Sequence, residues 1–194
     1  MHIIFLTRKR FGVITIILGL MILTLALGYN FNDGLKFTSL MQNDIYSLKE
    51  YESKDQNLSY KLPSDWKTSA RDMKIDNIKY YNEFVSKDSS ISGSVAVIQN
   101  PEAIGAYVEF VKNLENSNNP IEKVTKVEKK LQTKIGYLLR YEARDLDLKV
   151  YDYYQYYIKN KDSIYTFQFS VRKDKNKANM LSTFDTIFKT VTLK

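Results

Sequence analysis

The residue types that most often carry catalysis are scarce in this sequence. The chain has 194 residues, no cysteine and a single histidine, His2. Thiolate and imidazole groups serve as nucleophiles, general bases and metal ligands. This composition therefore excludes cysteine-dependent and histidine-dependent catalysis, thiolate metal sites and disulfides from the rest of the chain. An enzyme built from it would have to work with carboxylates, lysine, tyrosine or serine alone.

Two carboxylates, Asp145 and Asp147, lie two positions apart in a stretch that is typical of a hairpin turn. A calcium ion would need about six oxygen ligands, and a glycosidase would need its two acids on opposite sides of a cleft. The sequence offers two acids and no cleft motif. We therefore assign the pair to the turn and predict no catalytic residue, no metal site and no cofactor. A hydrolase that uses carboxylates alone is kept as an alternative.

Aromatic residues offer another route to function, since they can stack on sugars or pack against another protein. The only tryptophan, Trp66, follows a turn that begins at Pro63. Proline fixes φ and has no N–H to donate, so it ends the preceding strand. The indole can then fold back over the sheet as a plug of the core, which is the interpretation we favour. Alternatively, it serves as a stacking platform for a ligand.

Tyrosines dominate residues 150–158. Alternate side chains of a strand face opposite ways, which puts three of them, Tyr151, Tyr153 and Tyr157, on one face. The other face carries Tyr154, Tyr156 and Ile158. We expect one set to meet a helix, whereas the other is either partly exposed or buried under helices or loops. The candidate binding surface consists of Tyr151, Tyr153, Tyr157 and Trp66.

The N-terminus has the pattern of a membrane anchor. Residues 1–10 include Arg8, Lys9 and Arg10, and residues 11–28 contain no charged side chain. At about 1.5 Å per residue, this apolar helix would nearly match the ~30 Å hydrocarbon layer. The positive-inside rule keeps residues 1–10 in the cytoplasm and places the remainder outside, anchored by a single transmembrane pass. Cleavage near Ala26 and Gly28, as in a signal peptide, is the alternative, and the protein would then be secreted.

Residues 29–57 are predicted to form a stalk. Ser39 and Gln42 have capping-box spacing, and Met41, Ile45 and Leu48 would share one face of a short amphipathic helix. The extracytoplasmic domain is expected to begin at residue 58 and to extend to residue 194.

The domain combines the signals of strands and helices. Apolar alternation predicts a hairpin and then three further strands, over residues 78–85, 91–98, 134–143, 148–159 and 163–171. Between the hairpin and these strands, Asn100 as N-cap and Pro101 as first helical residue predict a helix. A last helix is expected to begin near Asp174 or Asn176 and to include Val191. This order predicts an α+β fold, in which helices flank an antiparallel sheet.

The order of elements resembles that of the PsbP-like family of α/β/α sandwich domains, which includes an extrinsic photosystem II subunit of plants and many exported bacterial proteins. Two local signals carry the resemblance: the corner Leu62, Pro63 and Trp66, and the ending Phe184, Ile187 and Thr190. Bacterial relatives are often lipoproteins, whereas this chain has no cysteine for a lipid. The resemblance implies an α/β/α sandwich over residues 58–194 and an accessory binding role, without a metal or catalytic residue.

Charge says little about the partner. The chain has 29 Lys and Arg against 22 Asp and Glu, and three of the basic residues precede the apolar run. The remaining excess is mild and dispersed, as on a solvated surface. An envelope protein, a cell-wall polymer or lipid headgroups are possible partners, whereas nucleic acid does not fit the location. We predict a membrane-anchored, extracytoplasmic, non-enzymatic binding or scaffolding domain. The alternative is a carrier that holds a small ligand or glycan in a tyrosine-lined groove.

Overall fold

The computed structural model describes residues 45–118, 124–131, 134–144 and 148–194, together with residues 21, 38, 40 and 41. Ten strands, two helices and one 3₁₀ turn lie in the continuous ranges. They are β1 (Leu48–Ser53), β2 (Leu58–Pro63), β3 (Lys67–Ala70), β4 (Ile78–Val85), β5 (Ile91–Gln99), α1 (Ile104–Asn118), β6 (Thr125–Leu131), β7 (Lys134–Arg144), β8 (Val150–Asn160), β9 (Ser163–Arg172), the 3₁₀ turn Lys173–Lys175, α2 (Met180–Phe188) and β10 (Thr192–Leu193).

The strands form two antiparallel sheets. The larger sheet has seven described strands in the order β3-β4-β5-β9-β8-β7-β6, and the smaller has the order β1-β2-β10. Helix α1 packs on one face of the larger sheet, over β7 and β8. Helix α2 and the smaller sheet cover the opposite face. We call these the α1 face and the α2 face. The predicted α+β class with antiparallel strands is confirmed.

The α2 face holds the main core. Alternation along β9 buries Tyr165, Phe167, Phe169 and Val171 on this side, as the sequence pattern predicted. The ring of Phe184 from α2 stacks on Phe169 with centroids 4.3 Å apart. These aromatic contacts join helix and sheet, and each adds stability beyond its buried area.

Close packing on the α2 face requires a glycine in β5. Gly93 pairs with Phe169, and the ring of Phe84 lies against it. A Cβ atom at position 93 would lie 1.9 Å from the carbonyl oxygen of Gln168 and 2.6 Å from Cζ of Phe84. Only glycine therefore allows the strands and the Phe84 ring to approach this closely.

The predicted hairpin is confirmed as β4 and β5, and the predicted tyrosine-rich meander as β7, β8 and β9. The predicted start of the first helix, at Pro101, is wrong. Asn100 accepts a hydrogen bond from the backbone N–H of Glu102, so it stabilises a turn rather than the helix. The helix begins after Ala103, whose carbonyl accepts from the N–H groups of Ala106 and Tyr107.

The bounds of the last helix also differ from the prediction. Asp174 lies in the 3₁₀ turn and forms an ion pair with Arg172, and α2 begins only at Met180, after Asn179. Val191 lies beyond the helix, which ends at Phe188, but it is buried in the same core. The helical spacing of Val191 from the preceding apolar residues therefore predicted its burial correctly, but it predicted the wrong secondary structure.

The stalk boundary at residue 58 falls inside the folded unit. Leu48 opens β1, which pairs with β2, so the predicted amphipathic helix is wrong in this part. Met41 is helical, whereas Ile45 has no regular structure and is buried in the core. Tyr51 and Tyr60 lie opposite each other in the two strands, and their rings stack 5.6 Å apart. This cross-strand pair favours a strand over a helix at residues 48–53.

The predicted membrane segment lies outside the described residues, apart from Met21. In the described part of the chain, no helix combines the length and the apolar character needed to cross a membrane. Asp145 and Asp147 also lie outside the described residues.

Candidate binding surfaces

Trp66 is part of the core. Its backbone N–H donates to the carbonyl oxygen of Pro63, which closes the turn that the proline predicted. The indole is 6% exposed and stacks on Phe84 with centroids 5.2 Å apart. Phe84 in turn contacts Phe169. This geometry agrees with the core-plug interpretation, although one side of the indole also borders a cavity.

The cavity beside Trp66 has a volume of about 450 Å³. It lies where β4 ends and β5 begins, between the Trp66 corner, the turn from Ser86 to Ser90 and the segment that leads into α2. Four apolar side chains form its floor: Ile45, Trp66, Ile91 and Met180. Five charged residues line its rim: Asp65, Lys87, Asp88, Lys175 and Lys177. Its volume is within the range of small-molecule sites.

Tyr157 lies beneath α1 and is buried. Its ring contacts that of Tyr107 on the helix, and its hydroxyl donates to Oε1 of Gln155 at 2.6 Å. The amide of Gln155 donates to the hydroxyl of Tyr141 at 2.8 Å. Burial raises the pKa of both tyrosines, so both hydroxyls stay protonated. Tyr157 therefore belongs to an internal hydrogen-bond network, away from the surface.

Tyr151 and Tyr153 share this face with Tyr157 but are only half-buried. Tyr153 stacks on Tyr141 with centroids 5.0 Å apart and an angle of 8° between the rings. Tyr151 lies next to Tyr153, at 6.4 Å. The ring of Tyr153 is thus held in a fixed orientation, and it borders the part of the α1 face that the helix leaves uncovered.

Helix α1 covers β7 and β8, and its core cluster reaches Ile164 at the start of β9, whereas no residue of β3, β4 or β5 belongs to that cluster in the described part of the chain. A shallow groove of about 470 Å³ lies there. We call its surface the open sheet face and define it by six residues: Tyr81, Glu83, Ser92, Ser94, Tyr153 and Gln168. The Ser92 hydroxyl is hydrogen bonded to that of Ser170 at 2.8 Å. The groove thus combines two tyrosine rings with hydroxyl, amide and carboxylate groups.

The second set of β8 side chains is buried on the α2 face. The Tyr156 hydroxyl donates to Oδ1 of Asp185 at 2.8 Å, and Asp185 forms an ion pair with Lys129 at 2.8 Å. Burial first, and then the charge of Asp185, raises the pKa of Tyr156. These groups connect α2 with β6 and β8 and leave no part of Tyr156 on the surface.

One pair of acids that the sequence analysis did not consider meets in the sheet. Glu142 and Asp152 lie directly opposite each other in β7 and β8. Like charges at opposed positions destabilise a sheet, but the ammonium group of Lys173 contacts both carboxylates. The Asn176 amide also donates to Asp152, at 2.6 Å. The hydrogen bond with Glu142, and then that with Asp152, raises the pKa of Lys173.

This pair is not arranged as a glycosidase needs. A glycosidase requires space for the substrate between its acids, and here Lys173 contacts both of them. Among the described residues, no group of three or more His, Cys, Asp or Glu side chains is placed to hold a metal ion. The pair could have been found from sequence, since residues 142 and 152 lie at equal distances from residue 147, in the predicted turn.

No known family profile and no curated protein sequence matches this chain. Solved structures do. Cyanobacterial PsbP (CyanoP) from Synechocystis sp. PCC 6803 aligns with a TM-score of 0.56 and 15% identity, over 77% of this chain and 94% of that protein. LpqN, described as involved in cell envelope biogenesis of Mycobacterium tuberculosis, aligns with a TM-score of 0.51 and 13% identity, over 76% of this chain and 91% of that protein.

A protein from Bacteroides thetaiotaomicron VPI-5482 aligns with a TM-score of 0.52 and 14% identity, over 75% of this chain but only 48% of the other. At such identities the alignments report the fold alone. Two features that the sequence suggested are found together, namely an antiparallel sheet with helices on both faces and a proline-tryptophan corner that closes one end of it. The chain therefore has a PsbP-like fold.

Proposed function

We propose that this protein is a membrane-anchored, extracytoplasmic, non-enzymatic domain that binds another component of the cell envelope through the open sheet face. The observation that carries the proposal is the unequal covering of the large sheet. Its α2 face is packed against α2 and the smaller sheet, whereas on its α1 face the described residues of β3, β4 and β5 do not belong to the core under α1. Half-buried Tyr81 and Tyr153 border that uncovered part.

Three observations support the envelope and the non-enzymatic role. The N-terminal sequence has the charge pattern and apolar length of a single-pass anchor. LpqN, a protein of the same fold, is described as involved in cell envelope biogenesis. The opposed acids Glu142 and Asp152 are both bound by Lys173, which makes them part of the fold's ion pairs.

A glycan is the second candidate ligand for the same face. Sugar rings stack on aromatic side chains, and their hydroxyls need hydrogen-bond partners. Tyr153 is held by its stack on Tyr141, and Ser94 and Gln168 line the groove beside it. A protein partner would instead need a larger area, of about 800 Å² on each side.

Site-specific crosslinking tests the binding surface. A photoreactive phenylalanine derivative in place of Tyr81 should crosslink to one discrete envelope component in intact cells. The matched control carries the same group in place of exposed Glu50 on β1, on the opposite side of the molecule. Crosslinks of equal yield and identity at both positions would contradict a specific role for the open sheet face. Digestion of the product with glycosidases or proteases then separates a glycan from a protein.

The anchor has its own test. Protease added to cells without a wall should digest everything after about residue 29, while the protein stays in the membrane fraction at high salt and alkaline pH. A soluble product whose N-terminus lies near residue 29 would show that the apolar segment is a cleaved signal peptide.

A further inference from the structure

The cavity beside Trp66 is apolar on its floor and charged on its rim. Its floor is apolar, with the indole of Trp66 and the side chains of Ile91 and Met180. Its rim carries exposed lysines, and two of these, Lys87 and Lys175, neither donate a hydrogen bond nor form an ion pair with a described residue. An apolar floor under a cationic rim suits a ligand with an anionic group next to an apolar chain.

The two carboxylates of the rim offset this charge only in part. Oδ1 of Asp88 accepts hydrogen bonds from the hydroxyls of Ser86 and Ser90 at 2.7 and 2.8 Å, and from the Ser90 N–H at 3.1 Å. The Asp88 carboxylate is therefore engaged in its own turn. Asp65 is exposed at the rim, and three lysines face these two acids, so the cavity keeps an excess of positive charge.

The path of the chain places this cavity at the tethered end of the domain. Ile45 forms part of its floor, and the Ile45 N–H donates to the carbonyl oxygen of Leu40, which is also buried in the core. Only residues 29–39 separate the apolar segment from this point. Fully extended, that length of chain spans at most about 40 Å. A domain tethered this closely presents its near end to the membrane at high effective concentration.

We propose that the Trp66 cavity binds the headgroup phosphate of an anionic phospholipid in the membrane that anchors the chain. Lys87 and Lys175 contact the phosphate, and the first carbons of the acyl chains lie against Trp66, Ile91 and Met180. Aromatic and lysine side chains are the residues that settle at a lipid interface. The inference rests on the proposed anchor, and it adds a second membrane contact that fixes how the domain stands on the surface.

Trp66 reports on this site by itself, because it is the only tryptophan of the chain. The full-length protein is reconstituted in phosphatidylcholine vesicles that contain phosphatidylglycerol. Bromine atoms are carried either by the phosphatidylglycerol or by the phosphatidylcholine, and bromine quenches tryptophan only at close range. Brominated phosphatidylglycerol should quench Trp66 more than the same amount of bromine on phosphatidylcholine. High salt should abolish that difference, since it screens exposed charges.

The charge-reversed variant Lys87→Glu/Lys175→Glu tests the two lysines. One lysine near an anionic surface strengthens attachment about fivefold, so the double reversal should weaken the lipid preference by more than about tenfold. The matched control is Lys74→Glu/Lys79→Glu, which makes the same change in net charge on exposed residues at the other end of the sheet. This control should keep the preference.

Several outcomes would overturn the proposal. Equal quenching by the two brominated lipids would show proximity through the tether alone. Loss of the preference in the control variant would show a general charge effect. Displacement by free glycerol phosphate at low concentration would identify a soluble phosphate ligand instead of a lipid. If the protein does not float with phosphatidylcholine vesicles, the anchor fails. Even then, flotation with phosphatidylglycerol vesicles that requires Lys87 and Lys175 would support the cavity, and its absence would refute it.

Discussion

The α2 face and the α1 face of the seven-stranded sheet differ in how completely they are covered. On the α2 face, the rings of Phe84, Phe169 and Phe184 form a continuous aromatic core under α2 and the smaller sheet. On the α1 face, apolar packing extends over β7 and β8, and the surface beyond Tyr153 is lined by serines and Gln168.

The unequal covering of the two faces determines where substitutions can be tolerated. Burial of apolar side chains, aromatic and aliphatic, supplies most of the free energy that offsets the conformational entropy of folding. On a tightly packed sheet face, side chains cannot be exchanged for ligand-binding ones without a loss of stability. The uncovered part of the α1 face is less constrained by packing, so its side chains can vary with function while the fold persists. Stability and binding should therefore respond to substitutions on different faces.

The largest effect should come from the aromatic core. Phe169→Ala removes a fully buried ring that stacks on Phe184, and we expect a loss of about 3–5 kcal/mol in the free energy of unfolding. The matched control is Phe110→Ala on α1, where the ring is 64% exposed. Its effect should stay within about 0.5 kcal/mol. Chemical denaturation of both variants measures the difference, and equal losses would show that the aromatic core on the α2 face does not dominate stability.

A pair of glycines provides the second comparison. Gly93→Ala places a methyl group 1.9 Å from a backbone oxygen on the α2 face, so overpacking should cost about 1–3 kcal/mol or more. Gly105 lies in the first turn of α1, and the nearest neighbour that a methyl group there would meet is the Tyr137 hydroxyl at 3.6 Å. Gly105→Ala should therefore stabilise the protein by up to about 1 kcal/mol. Thermal unfolding of both variants should give shifts of opposite sign, and a stabilised Gly93→Ala variant would contradict the packing described here.

The buried network under α1 should respond less. Tyr157→Phe removes the hydroxyl that donates to Gln155 and leaves a buried amide oxygen without this donor. Such a loss costs about 1–3 kcal/mol, and the lower half of this range is expected because only one hydrogen bond changes. Crosslinking from position 81 should remain intact in this variant. Loss of crosslinking without loss of stability would show that Tyr157 takes part in binding. The part of the α1 face under the helix would then not be separate in function from the open sheet face.

The smallest effect is a dependence of stability on pH at the Trp66 cavity. Burial alone would raise the pKa of Asp88, but hydrogen bonds from Ser86 and Ser90 outweigh it and lower the pKa below its ordinary value of 3.8. The stabilisation is therefore complete above the unfolded-state pKa and is lost as the pH falls through the folded-state value. Solvent screening limits it to less than about 1 kcal/mol.

Denaturation curves between pH 6 and pH 3 measure this contribution as the difference between the native protein and Asp88→Asn, about 1 kcal/mol at most. Ser90→Ala should give an intermediate result, because it removes one of the hydroxyl donors. A difference that grows as the pH falls would have the wrong sign for a carboxylate stabilised in its charged form.

The sequence predicted the elements whose signal is local. The hairpin of β4 and β5, the meander of β7 to β9 and the two helices all carry apolar periodicity within a single segment. β1, β3, β6 and β10 were not predicted. β3 and β10 are short, and in β1 and β6 exposed side chains are mixed irregularly with more buried ones, so no periodic pattern distinguishes these strands from loops. β10 also pairs with β2, which lies far from it in the sequence, so local periodicity could not indicate that pairing.

The candidate surface was predicted less completely than the fold. Alternation correctly grouped Tyr151, Tyr153 and Tyr157 on one face, but it could not indicate that α1 ends short of Tyr153 and covers Tyr157. The partners of Tyr153 in the groove, such as Tyr81 and Gln168, lie in β4 and β9. Only the register of four adjacent strands, β4, β5, β9 and β8, brings them together, and one sequence does not specify that register.

In this molecule the open sheet face binds and the α2 face stabilises. Native mass spectrometry of the full-length protein released from its own membranes, compared with Tyr81→Ala/Tyr153→Ala, separates the two roles. We expect the native protein to retain a bound component and the variant to lose it, with a fall in unfolding free energy of less than about 3 kcal/mol, because both side chains are only half-buried. A folded variant that retains the same component at the same occupancy would show that the open sheet face does not bind it.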